Sequence, residues 1–106
     1  MEPSDRAYVL HILDAIGEIE TYIAGMSWED FLDDSKTQSA IVRQLEIIGE
    51  ASKHLSESYR QTKPLPWKDI AGMRDKLIHH YFDVDLETVW VTATKDMATV
   101  KSALSA

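Results

Sequence analysis

Four segments of this chain repeat apolar side chains at intervals of three and four residues, a period that fits helices and little else. Between Asp5 and Ala24 the series is Tyr8, Ile12, Ile16, Ile19 and Ile23, closed by Gly25. A second series, Ile41, Leu45, Ile48, Ser52, Leu55 and Tyr59, follows Ser35-Lys36-Thr37-Gln38, which reads as a capping box with Ser35 as the cap. Between them, Trp28 to Leu32 fits one short helical turn whose Trp28, Phe31 and Leu32 anchor over the bundle end. Pro64 and Pro66 lack the N–H that a helix interior needs, so the second helix stops and a third starts near Pro66 and runs to His80 or Tyr81. Asp85, with Thr88 three residues on, caps a fourth that carries Leu86, Val89 or Trp90, Ala93, Met97, Val100 and Leu104 on one face. No stretch alternates with period two for long. The expectation is an all-α chain, a four- to five-helix antiparallel bundle forming a single domain over residues 1–106.

Size and composition narrow the function classes. A chain of 106 residues supports one core, without room for a separate cofactor domain. It has no cysteine, so disulfides and thiolate metal sites are excluded and packing must hold the fold. No apolar run approaches the roughly 20 residues of a membrane span, and Met1-Glu-Pro-Ser-Asp-Arg6 is too polar for a signal peptide, so no membrane partner and a cytoplasmic location are expected. The formal charge of −7 argues against a phosphate-rich partner only on average. Up to Tyr59, four bases stand against twelve acids, giving −8; from Arg60 onward, seven stand against six, giving +1. An anionic ligand therefore belongs to the second half.

The chemistry-bearing segment is Pro66 to Tyr81. On a continuous helix at about 100° per residue, Ile70, Met73, Leu77 and Tyr81 form the inward face, with Arg74 and His80 at its flanks. His79 then points the opposite way, beside Gly72 and Asp75. Two readings of His79 stay open: a solvated surface imidazole, or one that faces a cleft or a partner chain. Gly72 costs helix propensity, about 1 kcal/mol against Ala, and such a cost often marks close approach of another backbone. Arg74 and His79 lie about 140° apart on such a helix, so one chain cannot aim both at one atom unless the helix bends, whereas a symmetric pair of chains can assemble both into one cleft. Arg74 could equally pair with Asp75, Glu46 or Glu50. His80 suits packing or support, and His11 and His54 have no evident companion. A metal site on His79, His80 and Asp83 is disfavoured, because adjacent helical histidines diverge. With no phosphate loop, nucleophile elbow or Cys/His pair, acid/base work by an imidazole beside a guanidinium remains.

Arg74-x4-His79-x-Tyr81 resembles the signature of the HepT-like ribonuclease toxins of the HEPN superfamily. Pro66-Trp67-x-x-Ile70, Met73-Arg74-Asp75 and Arg43-Gln-Leu-Glu-Ile-Ile-Gly-Glu-Ala51 strengthen it, and the similarity spans essentially the whole chain. The resemblance implies a homodimeric helical bundle that cleaves RNA at a cleft between protomers, without metal or other cofactor. His79 is then the general acid/base, Arg74 the group that holds the scissile phosphate and stabilises its developing charge, and Asp75 a supporting residue. Tyr81 corresponds to the tyrosine that a cognate minimal nucleotidyltransferase antitoxin modifies with AMP, using ATP. Added charge and bulk there would exclude RNA. That role requires the helix to end near His80, since a continuous helix turns Tyr81 inward. The competing reading is a non-catalytic helical module that binds a nucleotidyltransferase, largely through the acidic first half. Lys68, Arg74 and Lys76, duplicated across a dimer, would supply a local basic cleft on an acidic protein.

Overall fold

The computed structural model describes residues 1–80 and 82–106, and they are predominantly helical. Helix α1 runs over Pro3–Ile23, with Pro3 in the first turn, where its missing N–H costs nothing. Gly25 then takes φ +74, the left-handed conformation that favours glycine after a helix end. Helix α2, Trp28–Leu32, is the short turn expected there, and its Ser27 cap accepts the Asp30 N–H. It anchors through Phe31, fully buried, and Trp28, partly buried, which ring against Trp90; Leu32 is exposed.

Helix α3 spans Ser35–Lys53. Its cap is Asp34, one residue earlier than the capping-box reading: the Asp34 carboxylate accepts both the N–H and the hydroxyl of Thr37. Gln38 instead donates its amide back to the carbonyls of Phe31 and Leu32, closing the end of α2. All six members of the second apolar series are buried, but the helix is not continuous through them. It breaks after Lys53, and α4, Glu57–Gln61, restarts on a Ser56 cap.

The third expected helix departs furthest from its reading. It divides into α5, Trp67–Ala71, and α6, Met73–Leu77, with Gly72 as the joint. The chain then turns extended as β1, Ile78–His80, and pairs antiparallel with β2, Asp83–Val84. The Asp85 N–H donates to the Leu77 carbonyl at 2.9 Å and closes the base of this hairpin. Helicity ends where β-branched and aromatic residues cluster, at Ile78-His-His. A Cβ on Gly72 would approach only the carbonyls of Lys68 and Asp69 in its own turn. The close approach that a glycine permits lies instead at Gly49, where a Cβ would stand 2.9 Å from the Ile70 carbonyl.

The last rod comprises α7, Leu86–Val91, a π-helical turn Thr92–Asp96 and α8, Met97–Ser105, and Asp85 caps it as expected by accepting the Thr88 N–H. Helix α3 is central. Helix α1 lies antiparallel to it, since Asp5 at the start of α1 meets Ser56 just beyond the end of α3. On the other flank α5 and α6 also run antiparallel to α3, with Ile70 against Gly49 and Arg74 against Glu46. The buried apolar residues of α1, α3, α5, α6 and the last rod form one cluster. Among the described residues, no helix is long and apolar enough to cross a membrane.

Candidate active site

Two anchors fix the segment that carries the candidate residues. The Trp67 indole N–H is shared between the carbonyls of Arg60, at 2.9 Å, and Lys63, at 3.1 Å, which pins the start of α5. Leu77, fully buried, pins the end of α6. The polar side chains from Lys68 to His80 are all exposed.

Arg74 stands on α6 with its Nε 3.5 Å from Glu46 Oε2 of α3 and its terminal nitrogen 4.0 Å from Asp75 Oδ1. The Arg74 side chain is 63% exposed and that of Asp75 is 92% exposed, so their pairing lies in water, whereas Glu46 is 26% exposed and its pairing with Arg74 is partly shielded; at these distances neither locks the guanidinium. Arg74, Asp75 and Gly72 line one side of a groove whose other side is Arg43, Glu46, Gly49, Glu50 and Lys53 of α3.

His79 is not on a helix. It sits on β1, exposed, just past the turn at Ile78. The N–H and hydroxyl of Thr88 hold the nearby Asp85 carboxyl below the usual carboxylate range, with burial opposing them and the proximity of His79 a smaller contribution. The wheel that set His79 opposite the core therefore does not apply. The departure from the helix is the bend that an Arg-x4-His pair needs if both groups are to serve one substrate. Among the described residues no hydrogen bond joins Arg74 to His79. His80, also exposed, stacks on Phe82 with ring centroids 5.3 Å apart. Tyr81 lies outside the described residues. No group of three His, Asp or Glu is arranged to hold a metal ion among the described residues.

The bases of this segment also divide. Arg74 faces the α3 groove, whereas Lys76 lines a separate cleft with Asp85, Thr92 and Asp96. One helix carrying Lys68, Arg74 and Lys76 as a continuous basic face does not form.

Sequence reasoning passed over His11 and His54 as lacking companions. Tyr8 is that companion. Its ring stacks on His54 with centroids 4.9 Å apart and 14° between planes, and meets His11 edge-on at 5.8 Å. The i,i+3 spacing of Tyr8 and His11 on α1 was the available signal; the antiparallel return that delivers His54 was not.

The described residues thus form a small helical domain with an exposed arginine on a helix and an exposed histidine on the adjoining strand. The Ribonuclease HepT-like family profile matches residues 12–106, and the chain belongs to that family. A protein of Thermococcus cleftensis named probable ribonuclease HepT is 45% identical over 102 residues, covering 95% of this chain and 93% of its own. A protein of Methanocaldococcus jannaschii named as a candidate RNase is 45% identical over 86 residues, covering 80% of this chain and 71% of its own. Another, from Caldanaerobacter subterraneus subsp. tengcongensis and similarly named, is 46% identical over 93 residues, covering 87% of this chain and 83% of its own. No solved structure gives a significant match. Family and relatives together support ribonuclease activity in general.

Proposed function

We propose that this protein is a metal-independent endoribonuclease toxin that works as a homodimer and is neutralised by AMP transfer to Tyr81 from a cognate nucleotidyltransferase. The observation that carries the reading is the end of α6 at Leu77, which puts His79 on an exposed strand next to the helix that bears Arg74. In the reaction, the ribose 2′-oxygen forms a bond to the adjacent phosphorus while its bond to the 5′-oxygen breaks. A neutral His79 imidazole takes the 2′ proton while water protonates the departing 5′-oxygen, or a protonated one delivers a proton to the departing 5′-oxygen while water takes the 2′ proton. The products are a cyclic phosphate and a free 5′-hydroxyl, so charge and protons balance without a metal. Arg74 presents a planar fork of donors to the phosphate oxygens as negative charge gathers on them, and its 3.5 Å contact with the partly buried Glu46 leaves the terminal nitrogens of the fork open to them. Asp75 supports that guanidinium from the next position in the chain.

Purified protein is expected to cut single-stranded RNA in excess EDTA. His79→Ala and Arg74→Ala should each lower the rate by about 10²-fold or more with an unchanged circular dichroism spectrum, because both side chains are exposed. Dependence on added divalent metal, or full activity in His79→Ala, would sink the mechanism. With ATP and the partner enzyme, wild type should gain the mass of one adenylate and Tyr81→Phe should not.

A further inference from the structure

We infer that the trough floored by α3 is a strand-binding site, in which the stacked Tyr8 and His54 rings receive an unpaired base of the RNA a short distance from the phosphate held at Arg74. This rests on the ribonuclease reading above and adds to it a recognition subsite. Two adjoining grooves make the trough. One lies between α3 and α6 and holds Arg74; the other lies between α3 and α1 and holds Tyr8, His11 and His54. Arg43 and Glu50 line both, so the two grooves meet along the exposed face of α3. Along α3, Glu46, which faces Arg74, and His54 are separated by about 12 Å, a span of a few nucleotides.

The chemistry of the trough suits a single strand. Aromatic and imidazole faces stack on bases that have left a helix, and every base offers such a face, so contact there is tolerant of sequence. Tyr8 is half-buried and His54 exposed, which leaves an accessible stacked pair, one ring on α1 and the other on the residue that caps the end of α3. Three acids and three bases line the trough around Arg74: Glu50 pairs with Lys53 at 2.9 Å, and Glu46 and Asp75 both lie beside Arg74, which leaves Arg43 as the base without an acid partner among the described residues. Arg43 has no ion pair among the described residues and is exposed between the two grooves, where it can meet the connecting phosphate.

The test measures binding apart from cleavage. In a His79→Ala background, the affinity for a short fluorescent single-stranded RNA is read by anisotropy, with sedimentation mass recorded for every variant. Tyr8→Leu should weaken binding by about tenfold, His54→Ala by several-fold, and Tyr8→Phe, which keeps the ring, should bind like Tyr8. Arg43→Ala should reduce the slope of log affinity against log salt by about one. Unchanged affinity in both Tyr8→Leu and His54→Ala overturns the proposal. So does a changed sedimentation mass in His54→Ala, an exposed position, since that would make the trough a contact between copies of the chain. If wild type binds RNA through these residues but does not cut it, the ribonuclease reading fails while the strand-binding site stands.

Discussion

A single carboxylate ties the start of α1 to the far end of α3. Asp5 is wholly inaccessible to solvent and accepts three hydrogen bonds, from the Ser56 hydroxyl at 2.6 Å, the Ser56 N–H at 2.7 Å and the Glu2 N–H at 3.0 Å. The two bonds from Ser56 hold its carboxyl below the ordinary carboxylate range; burial opposes them and the Glu2 N–H assists. Because the folded state favours the charged form, Asp5 contributes stability above its unfolded pKa, about 3.9, and that contribution drains away as pH falls through the lower folded value. Asp34 and Asp85, depressed by Thr37 and Thr88 respectively, act in the same direction. Wild type should therefore lose stability progressively below about pH 4, measured as the urea midpoint. Asp5→Asn should be less stable at neutral pH, since an amide offers one acceptor oxygen where three donors converge, and its stability should fall less steeply with acid. A variant as acid-sensitive as wild type would assign the effect to the other depressed carboxylates, Asp34, Asp85 and Glu50, the last held down by Lys53.

At the level of elements, glycine has two meanings in this chain. Gly17, inside α1, has no atom within 4 Å of where a Cβ would sit. Gly17→Ala therefore gains helix propensity with no collision and should raise the unfolding free energy by about 0.5–1 kcal/mol. Gly49 lies at the crossing of α3 with α5 and α6, where a Cβ would meet the Ile70 carbonyl at 2.9 Å and Met73 Cβ at 3.3 Å. Gly49→Ala should lower stability by about 1–3 kcal/mol, because backbone must move to admit the methyl. Paired denaturant melts decide it: equal signs for the two substitutions would show that α5 yields freely. The long helices and their buried stripes were legible from period alone, since Ile12, Ile16, Ile41, Leu45, Ile48 and Met97 all face the core. The break of the third helix was not. Ile70, Met73, Leu77 and Tyr81 satisfy a helical period whether or not the backbone is continuous, and only the carbonyl bond from Leu77 to the Asp85 N–H, a contact across the hairpin, shows where extension begins. The Arg74 and His79 pair was readable as a motif; its bend depended on that distant contact, and the placing of Tyr8 against His54 depended on the pairing of α1 with α3.

For the whole molecule, the question is how a protein of net charge −7 holds a polyanion and where each cleavage site is assembled. Lys76 turns toward Asp85 and Asp96 and Arg74 toward α3, so one chain offers no concentrated basic face on its α5–α6 segment. On the proposed homodimer, a second copy would double the bases available to one strand. We expect a sedimentation mass near twice the 12.0 kDa of the chain, and cleavage that weakens steeply with added salt. Subunit mixing distinguishes sites shared between protomers from sites complete within each. Arg74→Ala and His79→Ala, each inactive alone, are unfolded together and refolded as a mixture, so that about half of the dimers are hybrids. If each site joins Arg74 of one protomer to His79 of its partner, every hybrid retains one intact pair, and the mixture should recover up to about a quarter of wild-type activity. If each site is complete within one chain, both halves of every hybrid lack a group and the mixture stays inactive. Recovery would assign the catalytic unit to the dimer.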